Sequence, residues 1–128
     1  MQLQKLSLAL LAIAGAGVSA TSSNWEFRGW KHATFIGDKF SLKGDTWATK
    51  NSGPVCHDFP SGYSDKVRSF KWGDGKLHTG GHEYQCSFIL YEGTKCKDHE
   101  VYHGSSTFSK SILDSKEKKA KSIKVTCK

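Results

Sequence analysis

Residues 83–96 read EYQCSFILYEGTKC, and the first eight of them alternate. Tyr84, Cys86, Phe88 and Leu90 fall on one face, and Glu83, Gln85, Ser87 and Ile89 on the other. That two-residue period marks a strand with one buried side. Tyr91-Glu92-Gly93-Thr94 then supplies a tight turn. The C-terminal segment repeats the pattern, with Ile123, Val125 and Cys127 set against Lys124 and Thr126. Val67 to Trp72 reads as another strand, stopped by Gly73-Asp74-Gly75, while Phe40-Ser41-Leu42 and Thr46-Trp47-Ala48 flank a turn at Gly44-Asp45. Trp25-Glu26-Phe27 and Thr34-Phe35-Ile36 are two more short strands, and His99 to His103 is an edge strand. Turn signals this frequent specify an all-β sandwich or barrel. One segment departs from the pattern: Ser109 to Lys121 (SKSILDSKEKKAK) is rich in helix formers, and a short helix is expected near 109–121.

The chain has 128 residues, enough for one compact domain. With 37% hydrophobic residues it cannot form a membrane-embedded bundle, and with 12% aromatics it has the means to bury a core. Residues 1–20 read as a signal peptide: Lys5, an apolar run from Leu6 to Val18, then small residues at Val18-Ser19-Ala20 for cleavage. The run is too short to span a bilayer. Residues 21–128 are then a single secreted domain, and the formal charge of +7 falls by one with Lys5. Asn24 and Asn51 lack a glycosylation sequon.

Cys56, Cys86, Cys96 and Cys127 are an even number in an oxidising compartment, so two disulfides are expected and a zinc site, lacking any C-x-x-C pair, is not. Four cysteines allow three connectivities. Cys86 and Cys96 flank the turn at 91–94, which favours Cys86–Cys96, leaving Cys56–Cys127 to close a loop worth roughly 4 kcal/mol.

The chain also echoes itself. Phe35-Ile36-Gly37-Asp38-Lys39-Phe40 and Tyr91-Glu92-Gly93-Thr94-Lys95-Cys96 share the order aromatic-x-Gly-x-Lys, and each is followed some thirty residues on by a strand serine, Ser69 or Ser122. A hairpin of this form closed by a distant strand serine resembles the βγ-crystallin Greek key, and the run from Cys86 to Cys96 is similar to the second motif of small secreted fungal members. Killer-toxin-like proteins of fungi and bacteria share that fold. The resemblance implies a two-motif Greek-key sandwich with Phe35, Gly37, Ser69, Tyr91, Gly93 and Ser122 as its structural residues. It also implies a glycine seven residues after each motif aromatic, where this chain has Leu42 and Asp98. Aspartate accepts the positive φ required there and leucine does not, so the first hairpin departs from the pattern or its register is displaced. Calcium-binding members carry oxygen ligands where this chain has Arg68 and Lys121, so no metal and no cofactor are expected.

Enzymatic motifs are missing: there is no G-x-S-x-G, H-E-x-x-H, P-loop or dinucleotide fingerprint. A small basic ribonuclease would draw on His78, His82, Glu83 and Glu92, with Arg28 or Arg68 for the phosphate. Any basic protein with six histidines offers such a set, so catalysis is not the expectation. His78 and His82 read as parts of a solvated Gly-rich turn, and His99 and His103, four apart on a strand, stand about 13 Å apart. Among Trp25, Trp30, Trp47 and Trp72, which could also stack on sugars, most are expected in the core, with Trp72 partly exposed beside its Gly-rich turn. Between Lys116 and Lys128 six lysines face one acid, Glu117. Lys116, Lys118, Lys119, Lys121 and Lys124, with Trp72, are the candidate binding residues for an anionic cell-surface or wall polymer. The expected function is that of a secreted, basic, monomeric and non-catalytic protein of a microbe, fungal by resemblance. It would be antimicrobial or toxin-like, or a host-directed effector, and nucleic acid is not an expected partner. A secreted ribonuclease and a wall-glycan-binding module are the alternatives.

Overall fold

The computed structural model of the protein describes residues 24–44, 54–73, 75–79 and 81–128. Trp47 and the segment read as a signal peptide lie outside the described residues. Two antiparallel sheets pack face to face. The first has the order β2-β1-β4-β8, from β1 (Glu26–His32), β2 (Ile36–Lys43), β4 (Ser69–Gly73) and β8 (Phe108–Lys110). The second has the order β3-β9-β6-β5, from β3 (Val55–Asp58), β9 (Ser122–Cys127), β6 (His82–Tyr91) and β5 (Lys76–Thr79); β7 (Glu100–Gly104) pairs with the other half of β6. Each half of the chain therefore contributes three strands to one sheet and sends its third strand, β3 or β8, into the other. This exchange makes two interlocked Greek keys, with β5 as an addition between them.

The alternation read at 83–90 places Cys86, Phe88 and Leu90 inside, while Glu83, Gln85 and Ser87 are exposed. Aromatic rings fill the space between the sheets. Phe27 lies 5.3 Å from Phe70, 5.8 Å from Phe59 and 6.1 Å from Phe88, and Trp25 stacks on Trp72 at 5.4 Å. Offset and tilted pairs of this kind add to the area they bury.

Three expectations need correction. The segment 109–121 is not a helix: it opens as β8 and closes in a 3₁₀ turn at Glu117–Lys119. Its one apolar pair is split, with Ile112 64% exposed and Leu113 2%, as an extended chain demands and a helical stripe does not. Thr34-Phe35-Ile36 is not a strand; Ala33–Phe35 forms a 3₁₀ turn at the tip of the β1–β2 hairpin. The disulfides are Cys56–Cys96 and Cys86–Cys127. Strand register explains this pairing. Cys86 sits directly opposite Cys127 across β6 and β9, with their Cα atoms 4.0 Å apart. Across β6 and β7, Phe88 faces Gly104, so Cys96 is not opposite Cys86. Cys96 lies instead on the tip of the β6–β7 hairpin, where it reaches Cys56 on the exchanged strand β3.

Candidate functional site

Each hairpin tip folds back over its own sheet, and a buried serine holds it down. The Ser69 hydroxyl donates to the His32 carbonyl at 2.7 Å and accepts from the Phe35 N–H at 3.0 Å. The Ser122 hydroxyl donates to the Gly93 carbonyl at 2.6 Å and accepts from the Cys96 N–H at 2.9 Å. The Arg68 N–H bonds the Trp30 carbonyl as the Lys121 N–H bonds that of Tyr91. Left-handed residues follow the same order, Thr34, Phe35 and Gly37 in one tip and Lys95, Cys96 and Asp98 in the other. These bonds fix the equivalence: Trp30 corresponds to Tyr91, and Phe35 to Cys96. The motif aromatic of the first half is thus Trp30, not Phe35. Seven residues on stands Gly37 at φ +90°, as Asp98 stands at +70° seven residues after Tyr91. Leu42 has no such duty and lies buried in β2.

The lysine-rich segment packs around the second tip. Glu117, its one acid, is only 5% exposed. Its Oε2 accepts from the Lys110 Nζ at 2.7 Å and its Oε1 from the Asp114 N–H, while the Asp114 carboxylate accepts from the Lys116 and Glu117 N–H groups. Asp114-x-x-Glu117 is a capping box, which starts the 3₁₀ turn that carries Lys118 and Lys119. These bonds shift both ends of the network. The hydrogen bond from Glu117 N–H holds the Asp114 carboxyl below its ordinary range, and that to Glu117 raises the Lys110 ammonium against the opposing effect of burial. Lys121 precedes β9, and Lys124 lies on its outer face with its Nζ 5.5 Å from the Tyr91 ring centre. Lys116 borders a depression lined by Glu100, Val101, Tyr102 and His103. Sequence reasoning missed Lys95 and Lys97, which flank Cys96 on the folded tip, where the Cys96 N–H donates to the Ser122 hydroxyl and the Lys95 N–H to the Asp58 carboxylate. Their signal was the run Thr-Lys-Cys-Lys next to a motif glycine.

A second basic surface lies on the outer face of the first sheet. The register sets Arg28 opposite Lys71 and Trp30 opposite Lys39. All three cations lie 5.8–5.9 Å from the Trp30 ring centre, and Lys71 is 4.5 Å from that of Phe35. An open groove of about 450 Å³ adjoins them, lined by Arg28, Lys71, Trp72, Gly73, Thr107, Phe108 and Ser109.

Trp72 is not partly exposed, since its side chain points inward from β4 and is fully buried, donating from its indole N–H to the Ser105 carbonyl at 3.0 Å. Trp25 and Trp30 are buried at 1% and 7% exposure. The catalytic set does not assemble around a cleft. His78 faces Glu83 across β5 and β6, with 4.0 Å between Nδ1 and Oε1, whereas His82 pairs with Thr79 and projects to the opposite face. There it packs on Tyr84. Glu92 lies beyond the far end of β6, and Arg28 points to the outer face of the other sheet beside Glu26. Arg68 turns its guanidinium onto the carbonyls of Asp65 and Val67. Among the described residues no three His, Cys, Asp or Glu side chains converge as a metal site.

No protein-family model and no curated protein matches the chain. Among solved structures it is similar to one described as "Evolution of the eye lens beta-gamma-crystallin domain fold", at 20% identity and a TM-score of 0.57, over 84% of this chain and 90% of that one. A crystal structure of the N-terminal domain of protein S aligns at 13% identity and a TM-score of 0.46, over 80% of this chain and 96% of that one. The first likeness and the strand exchange together show a βγ-crystallin-like Greek-key fold.

Proposed function

We propose that this βγ-crystallin-like domain is a secreted, basic, non-catalytic protein that adsorbs to an anionic component of cell surfaces. One observation carries the reading. The single acid among the lysines of residues 116–128 is turned inward and bonded to Lys110, so its charge does not offset Lys116, Lys118, Lys119, Lys121 and Lys124 on the outside. Two disulfides with no free cysteine suit an oxidising compartment, and among the described residues no helix is long and apolar enough to cross a membrane. Such a protein of a microbe would act on other cells, as an antimicrobial or toxin-like factor or a host-directed effector.

The test incubates the purified, oxidised protein with yeast and bacterial cells across a salt series, with total RNA in parallel. Binding and growth damage are expected to fall with added salt and to be lost when Lys116, Lys118, Lys119 and Lys121 are replaced by Gln. Retained binding in that variant refutes the mechanism. RNA fragmentation would establish a ribonuclease instead, and saturable glycan binding that persists at high salt would establish a wall-binding module.

A further inference from the structure

The two disulfides meet solvent differently. Cys86–Cys127 is walled into the core, its residues 3% and 4% exposed. Cys56–Cys96 lies at the surface, with Cys56 exposed and Cys96 half-buried. Its strand β3 is the edge of the second sheet, and among the described residues no further strand pairs beyond it. Exchange begins when an external thiolate reaches a disulfide sulfur. Of the two bonds, Cys56–Cys96 offers that approach.

The surroundings suit the chemistry. Lys124 stands directly opposite Cys56 across β3 and β9, and Lys95 and Lys97 flank Cys96 in the chain. The acids beside them are Asp58, whose carboxylate accepts from the Lys95 N–H at 2.6 Å, and Asp98. A lysine next to a sulfur favours its thiolate, and a more stable thiolate leaves faster. Cys96, with a lysine on each side, is the better leaving group, and Cys56, the more exposed residue, is the better target.

The tip also has fastenings besides the covalent one. The Cys96 N–H donates to the Ser122 hydroxyl, and the bond from the Lys95 N–H to Asp58 joins the same two segments as the disulfide. The first tip holds the equivalent left-handed pair, Thr34 and Phe35, with no covalent tie at all. Once the disulfide opens, these bonds keep the two sulfurs within reach of each other.

We propose that Cys56–Cys96 is a reversible thiol-exchange site that loosens the second hairpin tip. A thiolate attacks the Cys56 sulfur, the Cys56–Cys96 bond breaks, and Cys96 leaves as a thiolate that takes a proton from water. One disulfide is traded for a mixed one, with no net oxidation. A second thiolate that attacks the external sulfur of the mixed disulfide frees Cys56, so two external thiols are oxidised to a disulfide as the protein bond is reduced. The two sheets, closed by Cys86–Cys127, stay folded throughout.

The test places the oxidised protein in glutathione buffers of graded reduced-to-oxidised ratio, followed by acid quench, alkylation and peptide mass spectrometry. Glutathione is expected on Cys56 and the alkyl label on Cys96 at ratios that leave Cys86–Cys127 intact. Amide exchange should then quicken at residues 93–98 and not in β6 or β9, and removal of glutathione should restore both the bond and the protection. Lys95→Gln combined with Lys97→Gln should slow the opening several-fold, and Asp58→Ala should slow the reclosure. Both disulfides opening together, glutathione on Cys96 in place of Cys56, or protection lost throughout the molecule when Cys56–Cys96 alone is open would overturn the proposal.

Discussion

The two folded hairpins, residues 30–37 and 91–98, follow one backbone plan with their side chains exchanged. In the first tip His32 carries the side chain and Gly37 the gap; a Cβ on Gly37 would lie 2.4 Å from the His32 ring. In the second tip Gly93 is the gap and Asp98 the side chain; a Cβ on Gly93 would lie 2.3 Å from an Asp98 carboxylate oxygen. His32 and Gly93 share an extended backbone, at φ −122° and −103°. The fold therefore needs one side chain per tip, at either place. The tips also differ in how they are fastened. Phe35 packs edge-on to Trp30 at 5.2 Å, whereas its counterpart Cys96 is tied covalently to Cys56.

The covalent tie gives the largest expected difference. A closed loop with a sequence separation of 40 is worth about 4 kcal/mol in the chain-entropy model. Replacing Cys56 and Cys96 by Ala should therefore cost several kcal/mol, against roughly 1 kcal/mol for Phe35→Ala at a half-buried contact. Denaturant unfolding of both variants measures this, and equal losses would mean that the two tips are held alike.

The exchanged side chains can be tested next, by coupling. Gly93→Ala should destabilise by about 2 kcal/mol through overpacking, and adding Asp98→Gly should recover more than half of that by rebuilding the arrangement of the first tip. Gly37→Ala should cost at least as much, because strain at φ +90° adds to the clash with His32. A strictly additive Gly93/Asp98 cycle would break the exchange argument.

The serines should behave alike where the tips do not. Ser69 and Ser122 are both fully buried, and each satisfies one carbonyl and one N–H. Either serine changed to Ala should cost about 1–3 kcal/mol, the range for orphaned buried polar groups. A loss confined to Ser122→Ala would show that the first tip stands on its aromatic packing alone.

How much of this could be read in advance follows from range. The strands at 84–90 and 123–127 were legible because burial on one face writes a period of two into adjacent residues. The disulfide pairing was not, since it depends on which strand lies beside β6. In the first motif Phe35, two residues before a glycine, mimicked the motif aromatic, although the glycine serves Trp30, seven residues earlier. The mismatch at Leu42 was the trace of that displacement. Trp72 misled because a neighbouring turn says nothing of which face a strand residue takes. The lysines after 116 were visible as a run. The cluster of Arg28, Lys39 and Lys71 was not, for its members come from three strands and meet only through register.

The smallest contrast separates the loops that lead into the two serines. The guanidinium of Arg68 fastens the first through backbone carbonyls, with no carboxylate in either bond. Carboxylates fasten the second. The Asp114 carboxyl, held below its ordinary value near 3.8 chiefly by the Glu117 N–H, adds stability above that value and loses it as pH falls through the lower folded-state value. Lys110, raised above 10.5 chiefly by its bond to Glu117, adds stability below that value and loses it as pH climbs through the higher one. Amide exchange below pH 4 should thus loosen residues 114–121 while 60–68 stay protected. Asp114→Asn keeps an acceptor for the Glu117 N–H but removes the titrating group, so it should abolish that acid step. Loosening of both loops together, or an acid step undiminished in Asp114→Asn, would show that the capping box is not what sets the second loop apart.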